Sequence, residues 1–256
     1  MELLQKFVEE LIEQLPQEDV DCARAFLQHH ASDDSRRLHL TTACSGTDNF
    51  IDGFTCISNA LLGGEGTPWE HIWSCEIDQE KRKWIMLTRP ELPALFTTVA
   101  ALWQKEGINC MKTRPGKGLV TSPILTSWVL GSGFVCKDIS SLNGKASGNR
   151  TCVGNGTARS GATWKDLMRH VDVHFPKNLF FENVRMLLAV DKAQQLSYAD
   201  RSPRAIFRIA TCRLRFAYSF QGLSINIRIS QGPCSCVTRS IAMCVLHLVC
   251  FEPACR

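Results

Sequence analysis

The chain of 256 residues is long enough for one large domain, or for one domain with a tail, and it can bury a sizeable core. Hydrophobic residues make up 45% of it and charged residues 21%, which excludes a wholly disordered, collagenous or coiled-coil chain. The formal net charge of +4 is unevenly distributed, because residues 199–256 carry eight arginines against two acidic residues. That basic end suits contact with nucleic-acid phosphates, although a solvated tail has the same composition.

Two amphipathic helices are predicted at the start of the chain. Apolar residues recur at helical spacing from Leu4 to Leu15, acidic residues occupy the other face, and Pro16 ends the pattern. A second short helix is predicted from Gln17 to His29. The acidic first ten residues are unlike a secretory leader, so an intracellular protein is expected. We predict that residues 1–37 form a helical extension that packs on the rest of the chain or binds a protein partner.

Between residues 38 and 195, short strand-like runs alternate with helices. The predicted strands are 38–43, 71–75, 95–99, 127–131 and 178–181. The predicted helices among them are 49–62, 79–87 and 162–173. Such alternation implies right-handed crossovers and an α/β fold with a doubly wound, mostly parallel sheet. Ligands of these sheets bind at the carboxyl ends of the strands, so functional residues are expected directly after each strand.

The alternation is lost from residue 196 onward. Six of the 13 cysteines lie in the last 45 residues, but no pair has the two-residue gap of a zinc knuckle, and no metal site is predicted. The odd number of cysteines favours reduced thiols. The longest apolar run, Ile241 to Phe251, is too short to span a bilayer, so no membrane contact is expected. We therefore predict a basic, cysteine-rich tail of uncertain fold over residues 196–256.

Candidate ligand-binding residues follow the first two strands. The turn Cys44-Ser45-Gly46 contains a glycine where the backbone has to approach a ligand, and the next helix offers its amino end to a negative group. A tight strand-to-helix turn alone also requires such a glycine. The second strand ends in Glu76-Ile77-Asp78, where an acidic residue can accept hydrogen bonds from ribose hydroxyls. Glu76 and Asp78 are equally suited to cap the following helix.

Candidate reactive residues follow the fourth and fifth strands. Cys136 lies next to Lys137, a setting that favours a nucleophilic thiolate, while a buried structural cysteine remains the alternative. The glycine-rich loop from 144 to 161 is too long for a mere connection and suits a mobile lid. Glu182, flanked by apolar residues at a strand end, is a candidate proton donor with a raised pKa.

Taken in order and spacing, these stretches resemble the cytosine-C5 DNA methyltransferases. The matching segments are Ser45-Gly46, Glu76-Ile77-Asp78, Gly133-Phe134-Val135-Cys136-Lys137-Asp138-Ile139-Ser140, Arg159-Ser160-Gly161-Ala162-Thr163-Trp164, and Pro176 through Glu182-Asn183-Val184. The resemblance covers roughly residues 38 to 190. It implies a Rossmann-like, S-adenosylmethionine-dependent methyltransferase fold, with S-adenosylmethionine as the cofactor and DNA as the partner. A nuclear location follows from that expectation.

The resemblance also implies a role for each matching residue. Cys136 would be the nucleophile that adds to carbon 6 of cytosine, Glu182 would hold the base at its ring nitrogen 3 and exocyclic amine, and Asn183 would brace the loop of Cys136. The cofactor would be bound by Cys44, Ser45, Gly46, Glu76, Ile77 and Thr98. The target cytosine would be flipped out of the duplex, because its carbons 5 and 6 are inaccessible within the stack.

The chain departs from the family pattern at three places. Val135 stands where the family normally has proline before the nucleophile, and Thr98 stands where an acidic residue usually holds the adenine amine. A Gln-x-Arg-x-Arg segment is absent from the sequence. The alternatives are therefore an inactive or truncated methyltransferase fold that serves as a binding module, and a methyltransferase acting on cytosine in tRNA. A hydrolase that pairs Cys136 with His170 or His174 is a weaker third reading.

Overall fold

The computed structural model describes residues 2–112, 118–133, 156 and 158–180 together with their side chains. For 181–183, 190–191, 196–197, 209–210, 215–220 and 223–229 it describes the backbone of strands. Val135, Cys136 and most of the loop from 144 to 161 lie outside the described residues. The side chains of Glu182 and Asn183 lie outside them as well.

The described residues form helices, strands and two short 3-10 turns. The helices are α1 (Glu2–Ile12), α2 (Gln17–Ala31), α3 (Asn49–Leu62), α4 (Gln79–Thr88) and α5 (Ala158–His174), and the 3-10 turns are Asp34–Arg36 and Val99–Ala101. The strands are β1 (Leu38–Ala43), β2 (Trp69–Cys75), β3 (Leu95–Phe96), β4 (Glu106–Ile108), β5 (Thr121–Pro123), β6 (Val129–Ser132), β7 (Asn178–Asn183), β8 (Val190–Asp191), β9 (Leu196–Ser197), β10 (Ile209–Ala210), β11 (Arg215–Phe220) and β12 (Leu223–Ile229). Among the described residues, none of the helices combines the length and apolar character that a bilayer crossing requires.

Most of these strands belong to one large sheet in the order β10-β11-β12-β7-β6-β1-β2-β3. All neighbours from β12 to β3 pair in parallel, and β10 and β11 are antiparallel additions at one edge. The pairs β4–β5 and β8–β9 form two small separate sheets. The prediction of an α/β fold with a mostly parallel sheet is confirmed, and the architecture is consistent with a Rossmann-like methyltransferase fold.

The strand order predicts a ligand-binding crevice beside the end of β1. From β1 the chain proceeds outward through β2 to β3, and then returns to build β6 and β7 on the other side of β1. In doubly wound sheets, ligands bind outside the carboxyl ends of the strands where the order reverses. That point lies between β1 and β6, where Ala43 pairs with Ser132. The turn that follows Ala43 therefore borders the crevice.

The first three helices cover one face of the sheet. Buried side chains of α1 and α2, including Val8 and Ala23, form one hydrophobic cluster with Ile57 of α3, Leu40 of β1 and Val129 of β6. Burying a valine, leucine or isoleucine side chain of this cluster contributes roughly 1.5 to 3 kcal/mol, and the smaller Ala23 contributes less. The two amino-terminal helices thus pack on the rest of the chain, which is one of the two alternatives that the sequence left open, and binding of a protein partner stays a prediction.

Helix α5 covers the opposite face. Thr41 follows Leu40 along β1 and so points to the other side of the sheet, and its neighbour in register is Trp73 of β2. The ring of His170 in α5 meets Trp73 edge to face, with centroids 5.4 Å apart. Helices on both faces explain why residues 40–43 of β1 are all buried, whichever face their side chains point to.

Two elements at the β3 edge differ from the sequence prediction. The predicted strand 95–99 ends at Phe96, because Thr98 accepts a hydrogen bond from the Ala100 N–H at 3.3 Å and starts a 3-10 turn. The short β4–β5 hairpin was not predicted. It is held to β3 by Asn109, a fully buried amide that bonds to both segments. Its side chain accepts from the Leu95 and Met111 N–H groups and donates to the Pro93 carbonyl and the Ser122 hydroxyl.

His170 makes the stability of this fold dependent on pH. Its ring is fully buried, Nδ1 donates to the Leu102 carbonyl at 2.7 Å, and Nε2 has no hydrogen-bond partner among the described residues. Burial lowers the pKa of His170 from its ordinary value of 6.5 to about 4. Between these two values the unfolded chain takes up a proton that the folded chain does not. The free energy of unfolding is therefore expected to fall by roughly 2 kcal/mol between pH 8 and pH 5.

Urea denaturation at pH 8 and at pH 5 measures this loss, and His170→Phe is the comparison. The phenylalanine variant forfeits the bond to the Leu102 carbonyl, so it should be less stable at pH 8. Its stability should nevertheless change less between the two pH values. Burial also lowers the pKa of His71, which leaves some pH dependence in the variant. An equal change in the free energy of unfolding between pH 8 and pH 5 in both proteins would contradict the prediction.

Candidate cofactor-binding site

The turn after β1 has an unusual backbone for its residue types. Cys44, Gly46 and Asp48 have φ angles of 55°, 61° and 65°, all in the left-handed region that favours glycine. A Cβ added at Gly46 would meet no atom of the described residues within 4 Å, so open space adjoins the turn there. The predicted approach of the backbone to a ligand is therefore sterically possible at Gly46.

The structure brings Gly46 and Glu76 together, although 30 residues separate them. Glu76, directly after β2, is only 5% exposed. Its Oε2 accepts a hydrogen bond from the Gly46 N–H at 2.7 Å, and its Oε1 accepts one from the Asp78 N–H at 2.9 Å. An ionised carboxylate has about four acceptor positions, so two remain for hydroxyl groups of a ligand. Two of the predicted cofactor-binding residues thus share one carboxylate-centred site.

The side chain of Ser45 connects β1 and β2. Its hydroxyl lies 2.7 Å from the Thr42 hydroxyl and 3.1 Å from the Cys75 carbonyl, and its N–H donates to the same carbonyl at 3.0 Å. The Cys75 N–H also donates to the Ser45 hydroxyl, at 3.2 Å. These bonds hold the two strand ends side by side. The predicted contact of Ser45 with a cofactor stays a prediction, and its hydroxyl is engaged within the protein.

Cys44 contributes a neutral thiol to the site. Burial raises its pKa to about 12, the Glu76 carboxylate raises it as well, and the Ser132 hydroxyl opposes the shift. The thiol is therefore protonated at neutral pH and is not a nucleophile. Cys44 can provide a small, weakly polar wall beside Gly46. Burial also raises the pKa of the neighbouring Cys75 well above its ordinary value.

Ile77 and Arg82 shape the side of the site next to α4. The Ile77 side chain is 75% exposed, which leaves an apolar surface for a flat ring beside Glu76. Asp78 caps α4 by accepting from the Glu80 and Lys81 N–H groups. Arg82 Nη1 donates to the carbonyls of Glu76 and Ile77 and so fixes the segment that carries both. Arg82 was not predicted as a site residue, although it lies one helical turn after the Asp78 cap.

Thr98 follows β3 at the same edge of the sheet, where the Glu76 N–H donates to the Phe96 carbonyl at 3.1 Å. The Thr98 hydroxyl accepts from the Ala100 N–H, so one lone pair of its oxygen is already engaged. A neutral hydroxyl is a weaker acceptor for an adenine amine than a carboxylate. Thr98 thus offers less to such a ligand than an acidic residue would.

For the cofactor that the sequence leads us to expect, replacement of Thr98 by Asp should strengthen binding of S-adenosylhomocysteine roughly three- to tenfold, because a charged acceptor is about 1 kcal/mol better than a neutral one. Aspartate also caps a helical turn at least as well as threonine, so the fold should be retained. Isothermal titration measures the change. The matched control is Thr97→Asp, one residue away, which should leave the affinity unchanged. Equal affinities for the wild type and Thr98→Asp would place the adenine elsewhere.

The residues at the strand ends fit an adenosyl cofactor with an anionic end. The Glu76 carboxylate has acceptor positions left beside Gly46, where a Cβ would meet none of the described atoms, and the exposed Ile77 side chain follows it in the chain. Asp48, the residue at the N-cap of α3, makes no side-chain bond to the N–H groups of that helix. These groups are thus not capped by Asp48 and suit a carboxylate. No group of three or more His, Cys, Asp or Glu side chains able to hold a metal ion occurs in the described part of the chain.

Comparison with known proteins gives one informative relative. No protein-family model matches the chain. Over 151 residues the chain is 28% identical to the DNA (cytosine-5-)-methyltransferase DMT5 of Cryptococcus neoformans var. grubii. The chain is a distant relative of a methyltransferase. The match covers 58% of this chain and only 6% of the fungal protein, so it supports the methyltransferase family without transferring the activity of that protein.

Among the predicted reactive residues, the structure gives a backbone position for Glu182 and Asn183 but not for Cys136. Ser132 at the end of β6 pairs with Phe181 of β7, so the two carboxyl ends are neighbours in the sheet. Glu182 and Asn183 are the last two residues of β7. Cys136 lies four positions after Ser132 and outside the described residues. The roles of Cys136, Glu182 and Asn183 stay predictions.

Proposed function

We propose that the chain contains the cofactor-binding and reactive part of an S-adenosylmethionine-dependent DNA cytosine-C5 methyltransferase. The observation that carries the proposal is the hydrogen bond that joins the Gly46 turn after β1 to the Glu76 carboxylate after β2, next to the point where the strand order reverses. The distant similarity to a fungal enzyme of that name supports the same activity.

The residues around the turn would bind and orient the cofactor, which supplies an electrophilic methyl group on a sulfonium ion. Glu76 would accept hydrogen bonds from the ribose hydroxyls through its two free acceptor positions. Ile77 would lie against the adenine, with its position held by Arg82. The N–H groups at the start of α3 would face the carboxylate of the methionine end.

Cys136 and Glu182 are proposed to act on the cytosine. Four residues span at most about 14 Å, so a thiol at position 136 can reach the end of β7 from Ser132. The Cys136 thiolate would add to carbon 6, and the electron pair displaced from the ring double bond would make carbon 5 the nucleophile toward the methyl group. Glu182 would hold ring nitrogen 3 and the exocyclic amine, where charge develops. S-adenosylhomocysteine would be the co-product of the transfer, and loss of the carbon 5 proton to a base together with departure of the Cys136 thiolate from carbon 6 would restore the ring.

DNA is the proposed substrate, and the nucleus is the corresponding location. Because cytosine inside a duplex is stacked, the base has to leave the helix to meet Cys136. The glycine-rich loop from 144 to 161 would close over it, and the amino-terminal helices would be free on their outer side to contact a protein partner.

The test combines cofactor binding with a covalent trap. The full chain should bind S-adenosylhomocysteine in calorimetry, and with S-adenosylmethionine it should form an adduct with an oligonucleotide that contains 5-fluorocytosine. Fluorine cannot leave as the carbon 5 proton does, so the thioether to carbon 6 persists. The adduct should vanish in Cys136→Ala and persist in the control Cys110→Ala, a half-buried thiol next to Asn109. Gel electrophoresis under denaturing conditions detects it.

The outcomes separate the alternatives. Cofactor binding without an adduct would reject catalysis and favour the inactive binding module. Val135 and the absence of a Gln-x-Arg-x-Arg segment from the sequence are consistent with that module. Methyl incorporation from labelled cofactor into tRNA but not into DNA would favour the RNA enzyme. A chain that binds no cofactor would contradict the proposal altogether.

A further inference from the structure

Asp48 occupies a position where its side chain would ordinarily cap a helix. It is the N-cap residue of α3, and aspartate is among the preferred residues there because its carboxylate accepts from the first N–H groups. In this structure it makes no such bond, its backbone is left-handed with φ of 65°, and its side chain is fully buried. A buried carboxylate and a left-handed aspartate both cost free energy. Their combination indicates that the Asp48 carboxylate has a structural role other than capping α3.

The Asp48 carboxylate connects the ends of β1 and β2. The Thr42 hydroxyl donates to Oδ1 and the Ser74 hydroxyl donates to Oδ2, each at 2.6 Å. His71 Nε2 and Arg89 Nε each lie 3.8 Å from Oδ2, and the Ser74 hydroxyl is also 2.9 Å from that His71 nitrogen. Two short hydrogen bonds and the nearby Arg89 guanidinium compensate the burial of the charge.

Asp48 also fixes the turn through its backbone. Its N–H donates to the Ser45 carbonyl at 2.8 Å, and its carbonyl accepts from the Ile51 N–H at 3.0 Å and from Arg89 Nη2 at 3.3 Å. The residues between Ser45 and Asp48 include Gly46, whose N–H faces Glu76. Both ends of this short turn are therefore tied to the sheet, and one of the two ties depends on the Asp48 side chain.

We propose that Asp48 is a positioning residue: its buried carboxylate holds the turn 45–48 in the shape that presents the Gly46 N–H to Glu76 and leaves the start of α3 free for a ligand. The role in ligand affinity rests on the proposed cofactor site, whereas the ordering of the turn does not. Asp48 itself touches no ligand in this role and acts through the conformation of its neighbours.

Asp48→Asn is the main test, because asparagine has the same size and tolerates a left-handed backbone. Its amide replaces one acceptor by a donor and removes the charge that faces Arg89. The matched control is Asp52→Asn, since Asp52 accepts from the same Arg89 guanidinium but makes no hydrogen bond with residues 45–48 in the described part of the chain. Ser74→Ala removes one hydrogen-bond donor to the Asp48 carboxylate, and it replaces Asp48→Asn as the test if that variant fails to fold.

Two measurements on the full chain decide the matter. In Asp48→Asn the amide hydrogens of residues 45–48 should exchange at least about tenfold faster than in the wild type, and S-adenosylhomocysteine should bind at least about tenfold more weakly. Ser74→Ala should shift both in the same direction by a smaller factor. Asp52→Asn should change each by less than about twofold, in keeping with a partly exposed ion pair.

Unchanged exchange and affinity in Asp48→Asn, or in Ser74→Ala if that variant has to serve, would overturn the proposal. Faster exchange throughout the sheet, equal in Asp48→Asn and Asp52→Asn, would overturn it too, because it marks a general loss of stability. If the wild type binds no S-adenosylhomocysteine, the proposed function fails. In that case, amide hydrogen exchange at residues 45–48 is the measurement that tests whether Asp48 orders the turn.

Discussion

Glu76→Gln is expected to weaken binding of S-adenosylhomocysteine about 100-fold, which corresponds to about 3 kcal/mol. The reason is the number of bonds that converge on this one carboxylate. It accepts from the N–H groups of Gly46 and Asp78 and has two positions left for ribose hydroxyls. Glutamine keeps only one side-chain oxygen. Its NH₂ group would face the N–H of Gly46 or Asp78, and two donors cannot form a hydrogen bond with each other. Both the preformed turn and the ligand bonds are therefore lost together. Isothermal titration calorimetry measures the affinity.

Asp78→Asn is the control for Glu76→Gln. It makes the same chemical change two residues away, at the cap of α4, where asparagine still accepts from the Glu80 and Lys81 N–H groups. The affinity of this variant should stay within about twofold of the wild type, because a cap is preserved. If Glu76→Gln bound as tightly as Asp78→Asn, Glu76 would be a structural cap and the ligand would bind elsewhere.

Gly131→Ala should lower the free energy of unfolding by about 2 to 3 kcal/mol, a large effect for one added methyl group. Gly131 lies in the middle of β6, where a Cβ would stand 2.6 Å from two atoms of the Phe50 ring. That ring has little freedom to move, because it packs between Phe54 and Phe180 with centroids 4.9 and 5.1 Å away. Phe50 also belongs to the first turn of α3, so its displacement should disturb the candidate site. Urea denaturation measures the loss.

A double-mutant cycle with Phe50→Leu tests the cause of the Gly131→Ala effect. The smaller leucine side chain leaves room for the new methyl group, so the double variant should be more stable than the sum of the two single changes predicts, by about 1 kcal/mol or more. Additive losses would mean that the added methyl group does not act through the Phe50 ring. Strain within β6 itself would then be the explanation.

The predicted helix 49–62 and strand 38–43 agree with α3 and β1 in both bounds. Their signals are local: an apolar run or a helical repeat, ended by turn residues such as Gly46 and Gly63. The third strand was predicted too long because the apolar pattern continues past Phe96, while the Thr98 hydroxyl starts a turn. The β4–β5 hairpin escaped prediction because its strands have three residues each, too few for an alternation to be visible.

The candidate site was predictable in part for the same reason. Parallel strands bring their carboxyl ends to one edge, so a glycine turn after β1 and an acidic residue after β2 had to be neighbours. Which atoms meet was not predictable. The bond from Gly46 to Glu76 requires a left-handed turn whose shape depends on Asp48, Thr42 and Ser74.

The order of residues along the chain was sufficient for the α/β class, for the edge of the sheet that carries the site, and for the residue types that a methyl-transfer site would need. These follow from local periodicity and from the handedness of crossovers, which every L-amino-acid chain shares. Only the tertiary structure shows three features: the buried carboxylate of Asp48, the hydrogen bonds of Arg82 to the Glu76 and Ile77 carbonyls, and the contact of Gly131 with Phe50. Each depends on side chains that folding brings together from separate elements, and hydrogen bonds and packing act over a few ångströms whatever the distance along the chain.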